Sequence, residues 1–213
     1  MSKQDFIVVL GTAHRKREPG KESPDKRLKE CVYSREICRA VAAKLRASGC
    51  KVEIDYEPLD LPKTMQSSIV KQERRNELAM RVNFVNEVCK QKGAKNVLYV
   101  SIHVDASGDD GQWHYPNGWS VRVSTNASEN SKKLANCLFD AAKQKGLKMR
   151  QPMTTQKYWP QNLFVLNNTA CPAVLTENLF QDNKADVDYL LSDIGREAIV
   201  NLHVDGILRY MGK

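Results

Sequence analysis

No segment of this 213-residue sequence stays apolar over the roughly 20 residues that cross a bilayer, so no membrane span is expected. There are six cysteines but no C-x-x-C pair, and with that spacing goes the signature of a zinc ribbon or a redox dithiol. Aromatics are few, 7%, and none is interleaved in the basic cluster at 14–29 (HRKREPGKESPDKRLK). A stacking platform for nucleic acid is therefore not expected. Neither an internal repeat nor a low-complexity tract interrupts the chain. The apolar run DFIVVL at 5–10 leads to a histidine instead of a small-residue cleavage site, so it reads as a strand and not as an export leader.

What is present describes a globular domain. Hydrophobic residues make up 41% and charged residues 27%, an ordinary balance for a packed core, and the length suits one domain, 1–213, better than two. A net charge of +8 and a pI near 9.2 favour an anionic partner: nucleic acid, acidic lipid or a bacterial wall polymer. The lysines and arginines are otherwise scattered, and most read as solvated surface. Cys38 shares a helical stripe with Ile37, Val41 and Leu45, and Cys89 continues Leu78, Val82 and Val85. Buried free thiols are expected there, which suits a reducing or anaerobic setting.

Apolar, β-branched runs alternate with helical patterns, the order of an α/β domain with a mostly parallel, twisted sheet of about six strands flanked by helices, a phosphorylase/hydrolase-like arrangement. Strands are expected at 6–10, 52–56, 96–102, 120–124, 163–166 and 173–176, and helices at 30–47, 69–91, 128–145, 185–191 and 193–211. Two stretches, 105–118 and 146–161, read as long functional loops.

In such sheets the ligand site lies beyond the carboxyl ends of the strands. His14 follows the first strand, His103 follows the third, Glu177 follows the last, and Glu30 opens the helix returning from strand one. Two histidines and a carboxylate around an open position form a catalytic zinc arrangement. A further carboxylate is then needed to take a proton from water and pass it to the leaving amine. This assigns one zinc to His14, Glu30 and His103, and the general base and acid to Glu177. Glu18 and Glu22 are competing ligands, with the helix register favouring Glu30. Taken singly, each residue has an ordinary structural role; two of only four histidines at equivalent strand ends is what carries the argument. His203 reads as structural, His114 as a loop residue bordering the site, and Trp113, Trp119, Tyr158 and Trp159 as packing aromatics able to stack on sugar or peptide.

These residues resemble the zinc-dependent N-acetylmuramoyl-L-alanine amidases of the amidase type 3 family, over nearly the whole chain. Glu30 with Leu45, Gly49 and Val52 is similar to that family's glutamate helix and its leucine-tail-glycine ending. SIHVDA at 101–106 resembles its S-[IL]-H-x-[ND]-A motif, Arg81 and Asn86 its helical arginine and asparagine, and PAVLTENLFQDN at 172–183 its strand leading into E-x-x-F-x-x-N. One departure is the first histidine, commonly set among glycines in the family and followed here by Arg15 and Lys16.

The resemblance implies hydrolysis of the amide between N-acetylmuramic acid and L-alanine in peptidoglycan. The alternatives are a zinc peptidase or carboxypeptidase acting on wall peptides, which the missing H-x-x-E spacing disfavours, and a non-catalytic wall-binding module, which the retained set of four residues disfavours. A monomer acting on the wall is expected, in the periplasm or outside the cell. With no leader visible, a removed signal, a phage lysin and cytoplasmic storage all stay open.

Overall fold

Every residue of the strand Ile7–Thr12 (β1) is buried, as a run of apolar and β-branched side chains must be when both faces of a sheet are covered. In a computed structural model describing residues 6–152 and 155–213, β1 is one of six strands. The others are Lys51–Ile54 (β2), Val97–Asp105 (β3), Ser120–Ser124 (β4), Trp159–Gln161 (β5) and Ala173–Phe180 (β6). Their spatial order is β2-β1-β3-β6-β4-β5. All neighbours are parallel except β4 and β6.

Alternate side chains of one strand feed two cores. Val8, Leu10, Val100 and Ile102 pack with the helices Glu30–Ala47 (α1), Glu129–Gln144 (α3), Lys184–Leu191 (α5) and Asp193–Tyr210 (α6). Ile7, Val9 and Tyr99 face Val70–Lys92 (α2) and the short helix Phe164–Asn167 (α4). Ser128, Asn183 and Ser192 cap α3, α5 and α6 with side-chain oxygens that accept a backbone N–H three residues on, the expected chemistry of those residue types. Because α1 leads from β1 outward to β2 and α2 returns to β3 across the opposite face, the chain changes direction between β1 and β3. That switch point is where α/β sheets open a crevice.

The expected strand at 163–166 does not form. Residues 164–167 make a single helical turn, closed by Asn168 Nδ2 donating to Phe164 O and Thr169 Oγ1 donating to Val165 O. Val165 and Leu166 are buried against α2, and a short apolar run satisfies either state. The edge strand is instead β5, inside the expected loop 146–161, and its Pro160 suits an edge that needs one donor fewer. Residues 153–154 of that loop lie outside the described residues. Two further strands run on past their expected ends: β3 continues to Asp105 and β6 to Phe180. His103 and Glu177 are thus directly opposite each other within the sheet, near its carboxyl edge. The register slips just after them, where Leu179 takes a positive φ of 64°, the geometry of a bulge at a site rim.

Candidate metal centre and active site

The structure brings His14, Glu30 and His103 together. One candidate ligand atom from each lies within 4.8 Å of the others, and the imidazoles stand edge to face with centroids 5.1 Å apart. Glu30 is 1% exposed. Its Oε1 lies 3.0 Å from His103 Nδ1 and accepts from Val104 N at 3.2 Å. Its Oε2 lies 3.4 Å from His14 Nε2 and has no hydrogen-bond partner among the described residues. Burial opposes ionisation, but His14 and His103 hold this carboxyl well below the usual range. Burial also lowers the pKa of His103, keeping its imidazole neutral with a lone pair to offer. Lys21 Nζ is 3.8 Å from the same Oε2, beyond hydrogen-bond reach. A buried carboxylate between two imidazoles, with one oxygen free of hydrogen bonds, fits a divalent cation, and zinc by the nature of the donors.

Glu18 and Glu22 do not join this group. Glu18 is buried in ion pairs with Arg15 and Arg74, and Glu22 lies 3.8 Å from Lys29 at the surface.

Glu177 faces the same cavity, about 450 Å³ in volume and shared with His14, Glu30, His103 and Arg122. Burial pushes its carboxyl well above the ordinary range, reinforced by the negative charges of Asp105 and Glu30 and opposed by Arg122 and Lys21. Arg122 Nε lies 3.9 Å from Glu177 Oε1, while Arg122 Nη2 donates to Asp105 Oδ2 at 2.9 Å. Glu177 Oε2 is buried without a partner among the described residues.

The chain matches the N-acetylmuramoyl-L-alanine amidase family over residues 8–209. It belongs to that family. An endolysin of Bacillus phage SPP1 is 30% identical over 123 residues, a match covering 58% of this chain and 43% of that endolysin. The chain thus spans under half of that curated relative. Among solved structures, the CwlD amidase of Clostridioides difficile, in complex with the GerS lipoprotein, superposes with a TM-score of 0.77 at 20% identity, covering 97% of this chain and 98% of that one. The N-acetylmuramyl-L-alanine amidase Ami1 of Mycobacterium smegmatis gives 0.75 at 18% identity, covering 100% and 99%. At such identities the likeness is one of fold.

Within this amidase fold, several residues that position the histidines were not visible as such in the sequence. Ser34 Oγ accepts from Ala13 N at 2.9 Å and donates to Ile102 O at 2.6 Å, tying together the residues that precede the two histidines. Arg35 Nη1 donates to the carbonyls of Ala13 and His14 at 2.8 and 3.0 Å. His14 has a positive φ of 41°, a conformation that disfavours side chains by about 1–2 kcal/mol, and these bonds hold it there. The signal was present in the helical spacing, since Ser34 follows Glu30 by one turn on α1. Asn178 Nδ2 donates to His103 O at 2.8 Å, and Trp119 Nε1 donates to Asn178 Oδ1 at the same distance. Trp119 is therefore packing, not a sugar platform. His203 is fully buried between Ile199 O and Thr176 Oγ1, its pKa lowered by burial to about 4. Of the resembling pair on α2, Arg81 borders the cavity, whereas Asn86 fastens Asn168 and Ala170. Gly11 is needed for packing, because a Cβ there would collide with the Tyr99 ring.

Proposed function

We propose that the chain is a zinc-dependent amidase that hydrolyses the bond between N-acetylmuramic acid and L-alanine in peptidoglycan. One zinc ion per chain is held by His14, Glu30 and His103, and 1–213 works as one catalytic domain. The observation that carries this reading is the buried Glu30 carboxylate between two histidines, one of its oxygens free of hydrogen bonds, with the high-pKa carboxyl of Glu177 across the same cavity. When bound, zinc supplies a Lewis acid that polarises the scissile carbonyl and brings the pKa of water toward about 7. Glu177 takes the proton released from water during attack and delivers it to the departing alanine nitrogen, and a carboxyl shifted toward neutrality suits both halves of that task. Arg122, anchored by Asp105, keeps a positive charge beside Glu177 and favours its basic form. The basic surface suits an anionic wall, where the enzyme acts as a monomer.

Mass spectrometry of digested peptidoglycan tests this. Stem peptides with a free N-terminal L-alanine, lost with chelator and regained with zinc, are expected. Cleavage confined to peptide bonds would replace the amidase reading with the peptidase one, and wall bound but intact would point to a binding module.

A further inference from the structure

Four lysine and arginine side chains line the catalytic cavity: Lys21, Arg74, Arg81 and Arg122. Three of them are drawn to carboxylates outside the proposed ligand set. Arg74 lies against Glu18, Arg81 is 2.8 Å from Asp55 and 3.0 Å from Glu77, and Arg122 is 2.9 Å from Asp105. Lys21 is placed differently. Its Nζ is 3.8 Å from Glu30 Oε2, the oxygen that also faces His14 Nε2 at 3.4 Å. The chain thus brings a cation of its own to the carboxylate that the two histidines flank.

That placement is built into the backbone. Lys21 O accepts from Glu30 N at 3.0 Å, so the carbonyl of residue 21 takes up one of the free donors at the start of α1. On one side of it Gly20, at a φ of 68° that suits glycine, has its carbonyl held by Gln181 Nε2 at 2.8 Å. On the other side Glu22 pairs with Lys29 in an antiparallel bridge. With residues 20, 21 and 22 each fastened, the lysine stem starts from a fixed point. Its side chain is 30% exposed, and the carboxylate it approaches is 1% exposed. An ion pair between two exposed groups at this distance adds little to stability. Here the anion is buried, and a nearby positive charge offsets part of the cost of keeping it ionised.

We propose that Lys21 is a resident counter-ion that sets the metal affinity of the site: it stabilises the ionised Glu30 carboxylate before a divalent ion arrives and repels that ion once it is bound. This role rests on the zinc part of the reading above and adds a residue to it. Two cations on one carboxylate repel each other, and at that range salt screens little, the Debye length being about 8 Å at physiological strength. Because the ammonium favours the metal-free state over the loaded one, it raises the dissociation constant of the metal. Zinc at such a site exchanges with supply over a chain that stays folded without it, unlike an ion on which folding itself depends.

The test measures zinc affinity by competition with a chromophoric chelator, at one pH and one salt concentration, in the full chain and three variants. Lys21→Met is expected to bind zinc about fivefold or more tightly than the unaltered chain. Lys21→Arg keeps the charge and should stay near the unaltered affinity. So should Lys26→Met, which removes the same charge from the same loop at a residue that does not line the catalytic cavity. Unchanged or weaker zinc binding in Lys21→Met, or equal tightening in Lys21→Arg or Lys26→Met, overturns the proposal and leaves the zinc reading standing. If neither the unaltered chain nor any variant takes up zinc, the zinc reading itself falls, and the role of Lys21 with it.

Discussion

Two clusters of buried charge meet just past the carboxyl end of β1, where His14 and Arg15 are consecutive, and they are built to opposite rules. In the first, Arg15 donates to Glu73 at 2.8 Å and to Glu77 at 3.2 Å, and Arg81 lies 2.8 Å from Asp55 and 3.0 Å from Glu77. Of the fully buried side-chain nitrogens and oxygens in that set, only Arg15 Nη2 lacks a hydrogen-bond partner among the described residues. The second cluster, His14, Glu30, His103 and Glu177, leaves one carboxylate oxygen on each of its two glutamates without a hydrogen bond among the described residues. A paired network fixes the backbone from which His14 projects. An unpaired one keeps coordination and proton-transfer capacity open, at a cost in folding free energy that the first cluster and the core must outweigh.

Breaking each side of this contrast should give different losses. His103→Ala removes a ligand, and both bound zinc by metal analysis and wall hydrolysis should disappear; stoichiometric zinc in that variant would move the metal centre elsewhere. Glu177→Gln should retain zinc and lower kcat by roughly 10²–10⁴, so near-normal turnover would reject the base assignment. The same residue sets the acid limb of the pH profile. Its raised pKa means that the basic form is lost as pH falls through a value above the ordinary carboxylate range, and a limb at or below that range would contradict its burial. Arg81→Met should act on the paired cluster, stranding Asp55 and Glu77 and lowering stability by about 3–5 kcal/mol in urea unfolding; a loss under 1 kcal/mol would show that water reaches the network. At the small end, Arg39→Met breaks only the exposed pair with Glu57 and should leave the urea midpoint in place.

The elements most readable from the sequence were those with a long, repeated pattern. The stripe Ile37, Cys38, Val41 and Leu45 foretold α1, and all four side chains are buried in it. All the described cysteines are free, and all but Cys137 are buried, as their apolar neighbours suggested. Residues 159–167 were misread because strand and helix compete on few residues there, and Asn168 and Thr169 close the helical turn with their side chains. The loop 105–118 was readable as a loop but not as an ordered one. Its order comes from Asp182 and Asn183, far along the chain.

From the sequence alone came the alternation of strand and helix, and with it the placing of two histidines and two glutamates at one edge of a parallel sheet. Those follow from local periodicity and chain order, which any stretch of sequence carries within itself. Only the tertiary structure decided which carboxylate meets the histidines. The helix register favoured Glu30 over Glu18, and the structure supplies the reason: Arg15 and Arg74 reach Glu18, while Glu30 lies between His14 and His103 with one oxygen free of hydrogen bonds. Pairs such as Arg74 with Glu18 and Glu30 with His103 are settled by distances across elements, which a residue's immediate neighbours in the chain do not contain.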